Sequence, residues 1–159
     1  MTLVFNASPL IILAKSGLID QLLPLAAQVW IPQAVADEIR NIKSSTDPAT
    51  LWLAGKNPLI HPQTQFSPFV LAWDLGAGES EVISITEKIS GSIAVLDDLA
   101  ARRCAQAMGI RITGTLGLIL LAKRKGLIPS VSPALDTVVA AGLLVAEHHL
   151  DAIRIAAGE

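Results

Sequence analysis

Residues 92–98, SIAVLDD, constrain the fold of this chain more than any other stretch. A continuous apolar run lacks the in–out alternation of a half-exposed strand, so SIAVL (92–96) predicts a strand buried on both faces of a parallel sheet. The run stops abruptly at Asp97-Asp98, and DLAARRCAQAMG follows as a helix closed by Gly109. Similar strand–helix pairs recur along the chain. TLVFN (2–6) reads as a strand, followed by the helix SPLIILAK (8–15), with Ser8 as N-cap, Pro9 at the first helical position and Gly17 as the stop. LIDQLLPLA (18–26) reads as a second short helix interrupted or ended by Pro24. QVWI (28–31) reads as a strand, and Pro32 opens a helix whose buried face is marked by Val35 and Ile39. Residues 44–74 carry the weakest pattern, with a helical turn at TLWLAG and a proline-bounded edge strand at PLIHP. IRIT (110–113) is a further strand, and GTLGLILLAKRKG a helix stopped by Gly126. Strands alternating with helices predict an α/β chain: a three-layer α/β/α fold around a central, mainly parallel sheet.

The chain's 159 residues suit one domain with a sizeable core, with terminal helices from about residue 132 to 159 packing on it. The composition, 52% hydrophobic and 16% charged, is that of a folded protein. So apolar a surface-to-core balance also predicts a homodimer or another protein partner. No apolar run reaches the roughly 18 residues of a membrane span, and MTLVFN lacks the basic start of a signal peptide. With one cysteine there is no internal disulfide, and a reducing cytoplasm is the expected compartment. Cys104 reads as a small core residue. A net charge of −2 argues against passive coating of nucleic acid, which calls for a basic surface. An enzyme that reaches phosphates through a cation is exempt, because the ion brings its own charge.

The acidic residues then become informative. In a parallel sheet all strand C-termini lie on one edge, where sites form. Asn6, Asp97-Asp98 and Thr113 end three of the strands on that edge, and LGAGESE (75–81) opens the helix leading into SIAVL there. Glu38 lies near the end of its own helix. Any one such acid is explained by the positive end of a helix dipole, worth about 0.3–1 kcal/mol. Two details speak for more in the set as a whole. Residues two apart on a helix point about 200° apart. Glu79 and Glu81 therefore converge only if Glu79 sits in the turn, as Gly76 and Gly78 permit, and Glu81 in the first helical turn. Asp97, moreover, follows an apolar run directly, a costly place for a carboxylate without a partner. Clustered carboxylates repel unless a cation fills the gap, and oxygen donors favour Mg²⁺ or Mn²⁺ over Zn²⁺. The chemistry this suggests is metal-assisted phosphodiester hydrolysis.

At these residues the chain resembles the PIN-domain family, in FNASPLIILAK, VWIPQAVADEI, LGAGESEVISI, VLDDLAARRCAQAMGIRITGTLGLILLAKRKGLI and the final AAGE. GESE is similar to the GE-x-E element of flap endonucleases, distant relatives in that superfamily. The resemblance implies a three-layer nuclease fold and, in active members, Mg²⁺- or Mn²⁺-dependent cleavage of RNA. Many such members are VapC-like toxins neutralised by a small antitoxin protein. By position, Glu38, Glu81 with its neighbour Glu79, and Asp98 or Asp97 match the family's acids, and Ser8 its small hydroxyl residue. The implied ligand set is Glu38, Glu79, Glu81, Asp97 and Asp98, with Ser8 orienting Asn6 or a ligand water. The departure is Asn6, where most PIN nucleases carry Asp: an amide oxygen can ligate but adds no charge. A catalytically degenerate relative that binds RNA or a protein without cleavage is therefore the alternative. A nucleotide-binding α/β protein is disfavoured, because no glycine-rich phosphate loop follows a strand.

Other candidates carry less. Thr113 and Thr115 flank a helix start that suits a phosphate or a simple cap, and Arg102, Arg103 and Lys123-Arg124-Lys125 suit RNA phosphates or solvated helix faces. His148-His149 reads as a surface pair, and Trp30, Trp52 and Trp73 as packing or interface residues.

Overall fold

The computed structural model describes residues 1–56 and 58–159. Among these residues five strands, β1 (Thr2–Phe5), β2 (Gln28–Pro32), β3 (Leu59–His61), β4 (Ser92–Val95) and β5 (Ile112–Thr113), form one sheet in the order β3-β2-β1-β4-β5. Every pairing is parallel, with Val4 opposite Trp30 on one side and Ala94 on the other. All four residues of β4 are buried. Because successive side chains point to opposite faces, that is possible only with both faces covered. The expected α/β/α layering is therefore the structure's.

Among the described residues ten α-helices complete the fold: α1 (Ala7–Lys15), α2 (Ile19–Leu22), α3 (Gln33–Arg40), α4 (Pro48–Lys56), α5 (Pro68–Leu71), α6 (Ala77–Lys88), α7 (Leu99–Ala107), α8 (Thr115–Arg124), α9 (Ser132–Ala140) and α10 (Glu147–Ala157). Leu3, Phe5, Leu10, Leu13, Ile31, Ile39, Ile83, Ile85, Leu96, Leu118, Ile119 and Leu135 are large side chains fully buried in the core. Fully burying each of these stabilises by about 1.5–3 kcal/mol relative to exposure. Gly109 and Gly126 follow their helices at φ +70 and +72, the left-handed conformation that ends a helix at no steric cost for glycine.

Several local expectations change. Asn6, not Ser8, occupies the N-cap position of α1, and Ser8 is an exposed residue of its first turn. The segment 18–26 is a short helix continued by a 3₁₀ turn over Leu23–Leu25, because Pro24 cannot donate to a longer α-helix. TLWLAG belongs to a helix of nine residues, seated by Ala49, Trp52 and Leu53. PLIHP contributes the edge strand β3. The helices α9 and α10 pack against α8, and α9 also against α1. Among the described residues no single helix is long and apolar enough to cross a membrane; α1 and the segment Ile19–Leu25 pass together only as a pair bent by 112°.

Candidate active site

The strand order places the topological switch between β1 and β4: the chain winds outward from β1 through β2 to β3, then returns to β4 and continues to β5. In open parallel sheets the crevice beyond such a switch is where ligands sit. Asn6 leaves β1 there, its N–H donating to the Val95 carbonyl at 3.1 Å, and Asp97 leaves β4 one residue after Leu96.

Asn6 is 3% exposed. Its Nδ2 donates to Glu79 Oε1 at 3.1 Å, which fixes the amide orientation, since the reverse would set two oxygens face to face. Its Oδ1 is then left buried and without a hydrogen-bond partner among the described residues. A buried acceptor without a donor costs roughly 1–3 kcal/mol. What lies in front of that oxygen is Gly78, the second residue of α6. A Cβ there would come 2.9 Å from Asn6 Oδ1, 3.3 Å from Val35 Cγ2 and 3.5 Å from Glu38 Oε2. The glycine thus leaves a gap bordered by an unpaired amide oxygen and a carboxylate oxygen. Burial, and after it the negative charge of Glu79, raise the Glu38 carboxyl above its ordinary value. None of the ion pairs among the described residues involves Glu38 or Glu79.

The remaining acids are placed differently. Glu81 is 1% exposed, and its Oε2 accepts from the Ala34 N–H at 2.8 Å, in the first turn of α3. Asp97 accepts from the Thr115 N–H at 2.8 Å and from Thr115 Oγ1 at 2.6 Å, at the start of α8. Asp98 is the N-cap of α7, accepting from the Ala101 N–H at 2.8 Å. Arg102 Nη1 donates to the Leu96 carbonyl at 2.9 Å, and Thr113 Oγ1 to the Gly114 carbonyl at 3.4 Å. The acids expected to form one ring therefore divide, and among the described residues no three His, Cys, Asp or Glu side chains gather closely enough to hold a metal. Glu79 is in the first helical turn rather than the preceding loop, because α6 begins two residues earlier, at Ala77. Lys123 stands near the far end of α8, about 12 Å along the helix from Thr115. It is paired there with Glu159 at 3.6 Å and with the Pro129 carbonyl, away from the crevice.

The set Asn6, Glu38 and Glu79 still fits a hard divalent cation. Mg²⁺ takes one or two carboxylates, keeps several waters and draws further ligands from substrate phosphate. An amide oxygen beside two carboxylates, all without partners of opposite charge or donors among the described residues apart from the Asn6–Glu79 bond, supplies that donor chemistry. The sequence alone flagged these three residues, but not Gly78 as the spacer between them or Ala34 as the partner of Glu81. The signal available for Gly78 was a glycine inside a helical pattern. Cys104 is a buried core thiol, Trp52 is buried, and Trp30 stacks on His61 with centroids 5.1 Å apart. His148 and His149 are exposed on α10.

A parallel α/β/α sheet with acids at its switch crevice defines an open α/β fold whose site lies beyond the strand ends. The DUF3368 family model, described as a PIN domain, matches residues 2–159, and the chain belongs to the PIN-domain family. No curated protein and no solved structure is significantly similar to the chain.

Proposed function

We propose that the chain is a Mg²⁺- or Mn²⁺-dependent ribonuclease of the VapC-like, toxin–antitoxin type, working from the Asn6–Glu38–Glu79 side of the crevice in the cytoplasm. The observation that carries this reading is the buried, unpartnered Asn6 Oδ1 facing Glu38 across Gly78. Glu38 and Glu79 would hold the ion, with Asn6 Oδ1 as a neutral ligand or water anchor. When bound, such an ion polarises a phosphoryl oxygen and lowers the pKa of a bound water. The chain's residues shape the place where this occurs. Asn6 Nδ2 locks Glu79 Oε1, and Gly78 keeps side-chain bulk out of the gap between Asn6 and Glu38. RNA as substrate, a small antitoxin as inhibitor and a homodimeric state belong to the same reading and rest on the family resemblance.

Calorimetric titration with Mn²⁺, together with RNA cleavage, tests it. The parent protein should bind Mn²⁺ and cleave, and Glu38→Gln should lose both. A second reading, a PIN-domain protein that binds RNA or a partner without cleaving, is favoured by the uncharged Asn6 and by Asp97 and Asp98 serving as helix caps. Absence of Mn²⁺ binding at millimolar concentration selects that reading.

A further inference from the structure

Glu81 is the most buried acid at the crevice and makes no contact with Asn6, Glu38 or Glu79 among the described hydrogen bonds. A carboxylate so enclosed is costly unless something satisfies its charge. Its partner is the Ala34 N–H, at the positive end of the α3 dipole. That end needs a donor of negative charge from elsewhere, because Pro32 stands in the N-cap position and offers no side-chain cap. The bond joins residues 47 apart in sequence and is thus a tertiary tie between α6 and α3, two helices in direct contact.

The spacing along both helices gives the tie a consequence. Glu79 and Glu81 are two residues apart and so point in different directions, one to Asn6 and the other to the start of α3. On α3, Glu38 follows Ala34 by four residues and stands one turn further along the same face. Between them Val35, wholly buried, would meet a Cβ on Gly78 at 3.3 Å, so α3 is seated directly on the glycine of α6. Anchoring Ala34 therefore sets where Glu38 meets the Gly78 gap.

We infer that Glu81 is a positioning residue: its carboxylate pins the start of α3 to α6 and thereby holds Glu38 opposite Asn6 and Glu79, rather than ligating the ion itself. The inference rests on the proposed Asn6–Glu38–Glu79 site but is tested apart from it. In Glu81→Gln the side-chain oxygen still accepts from Ala34, whereas in Glu81→Leu nothing does. Three readouts apply to both variants: amide hydrogen exchange at Ala34, the Asn6 side-chain and Gly78 amide resonances, and Mn²⁺ affinity by calorimetry. Glu81→Leu should speed Ala34 exchange, move both resonances and weaken Mn²⁺ binding by about 10-fold or more, the scale of losing a residue that orients a ligand. Glu81→Gln should restore all three. If Glu81→Gln loses Mn²⁺ affinity while Ala34 stays protected, Glu81 is a ligand and the inference fails. Unchanged exchange and resonances in Glu81→Leu overturn it equally. Should Glu81→Leu not fold, Glu81→Gln alone decides: parent-like exchange and resonances support the tie, and their loss refutes it. Should the parent protein bind no Mn²⁺, the metal reading falls while the exchange and resonance measurements still judge Glu81.

Discussion

The two sides of the crevice use the same residue types for different ends. On the β4–β5 side, Asp97 and Asp98 each face free N–H groups of a following helix, and both are engaged. On the β1 side, among the described residues, Glu38 and Glu79 have no cationic partner, and the amide beside them carries an orphan oxygen. The difference lies in what each carboxylate meets. Asp98 stands immediately before α7 and reaches its free N–H groups, and the sheet edge carries Asp97 to the start of α8. Among the described hydrogen bonds neither Glu38 nor Glu79 meets a backbone N–H. Glu159 makes the same point at the far end of the molecule. Bonds from Ser130 Oγ and the Val131 N–H, then from Ser132, hold its carboxyl down at about 2, whereas Glu38 is pushed up. Donors lower a carboxyl pKa, while burial beside another carboxylate raises it.

The most severe test of this contrast fills the gap on the open side. Gly78→Ala places a methyl group 2.9 Å from Asn6 Oδ1 and should cost roughly 100-fold in Mn²⁺ affinity by calorimetry, the upper end for disturbing a ligand's support. Parent-like affinity would remove the gap from consideration. Asn6→Asp tests the charge of the same site from the other direction. A third carboxylate should raise Mn²⁺ affinity by about 10-fold, since ligand charge count tunes affinity. It should also lower the melting temperature without metal, because the donor to Glu79 is replaced by a like charge. On the closed side, Asp97→Ala should destabilise by about 2 kcal/mol in urea unfolding, the cost of removing a helix cap held by two bonds. Its Mn²⁺ affinity should change by far less than the roughly 10–100-fold expected of a residue that supports a ligand. A larger change would return Asp97 to the ion site.

The smallest effects are opposite pH dependences. Glu38 holds its proton more tightly folded than unfolded, so it lowers stability as pH rises from the ordinary glutamate range through its raised folded value. Glu38→Gln should therefore melt higher than the parent at pH 7, with the gain vanishing below the ordinary range. Glu159 has the reverse sign: its contribution is present above the ordinary range and is lost as pH falls toward about 2. Glu159→Gln should melt lower at pH 7, and the gap should close on acidification. Melting curves of the two variants that bend the same way would contradict the contrast between capped and uncapped acids.

How much was legible beforehand follows from range. The buried strand SIAVL, the alternation of strands with helices and the helix-ending glycines are local signals, and the sheet edge carrying Asn6 and Asp97 followed from parallel topology. The vague stretch 44–74 hid α4, because its helix is seated by Ala49, Trp52 and Leu53 rather than announced by a clear period. Periodicity and topology assign Glu79, Glu81, Asp97 and Asp98 to one edge but leave Glu38 unplaced, and they name none of the partners.

The sequence by itself thus determined the layered α/β class and the concentration of acidic and amide groups at the strand ends, since periodicity and order along the chain dictate both. Only the tertiary structure decided which of those groups are capped and which stand open. A carboxylate's partner is chosen by distances of about 3 Å between segments far apart in sequence. The approach of α3 to Gly78 and the reach of Glu81 to Ala34 are products of packing that no local pattern encodes.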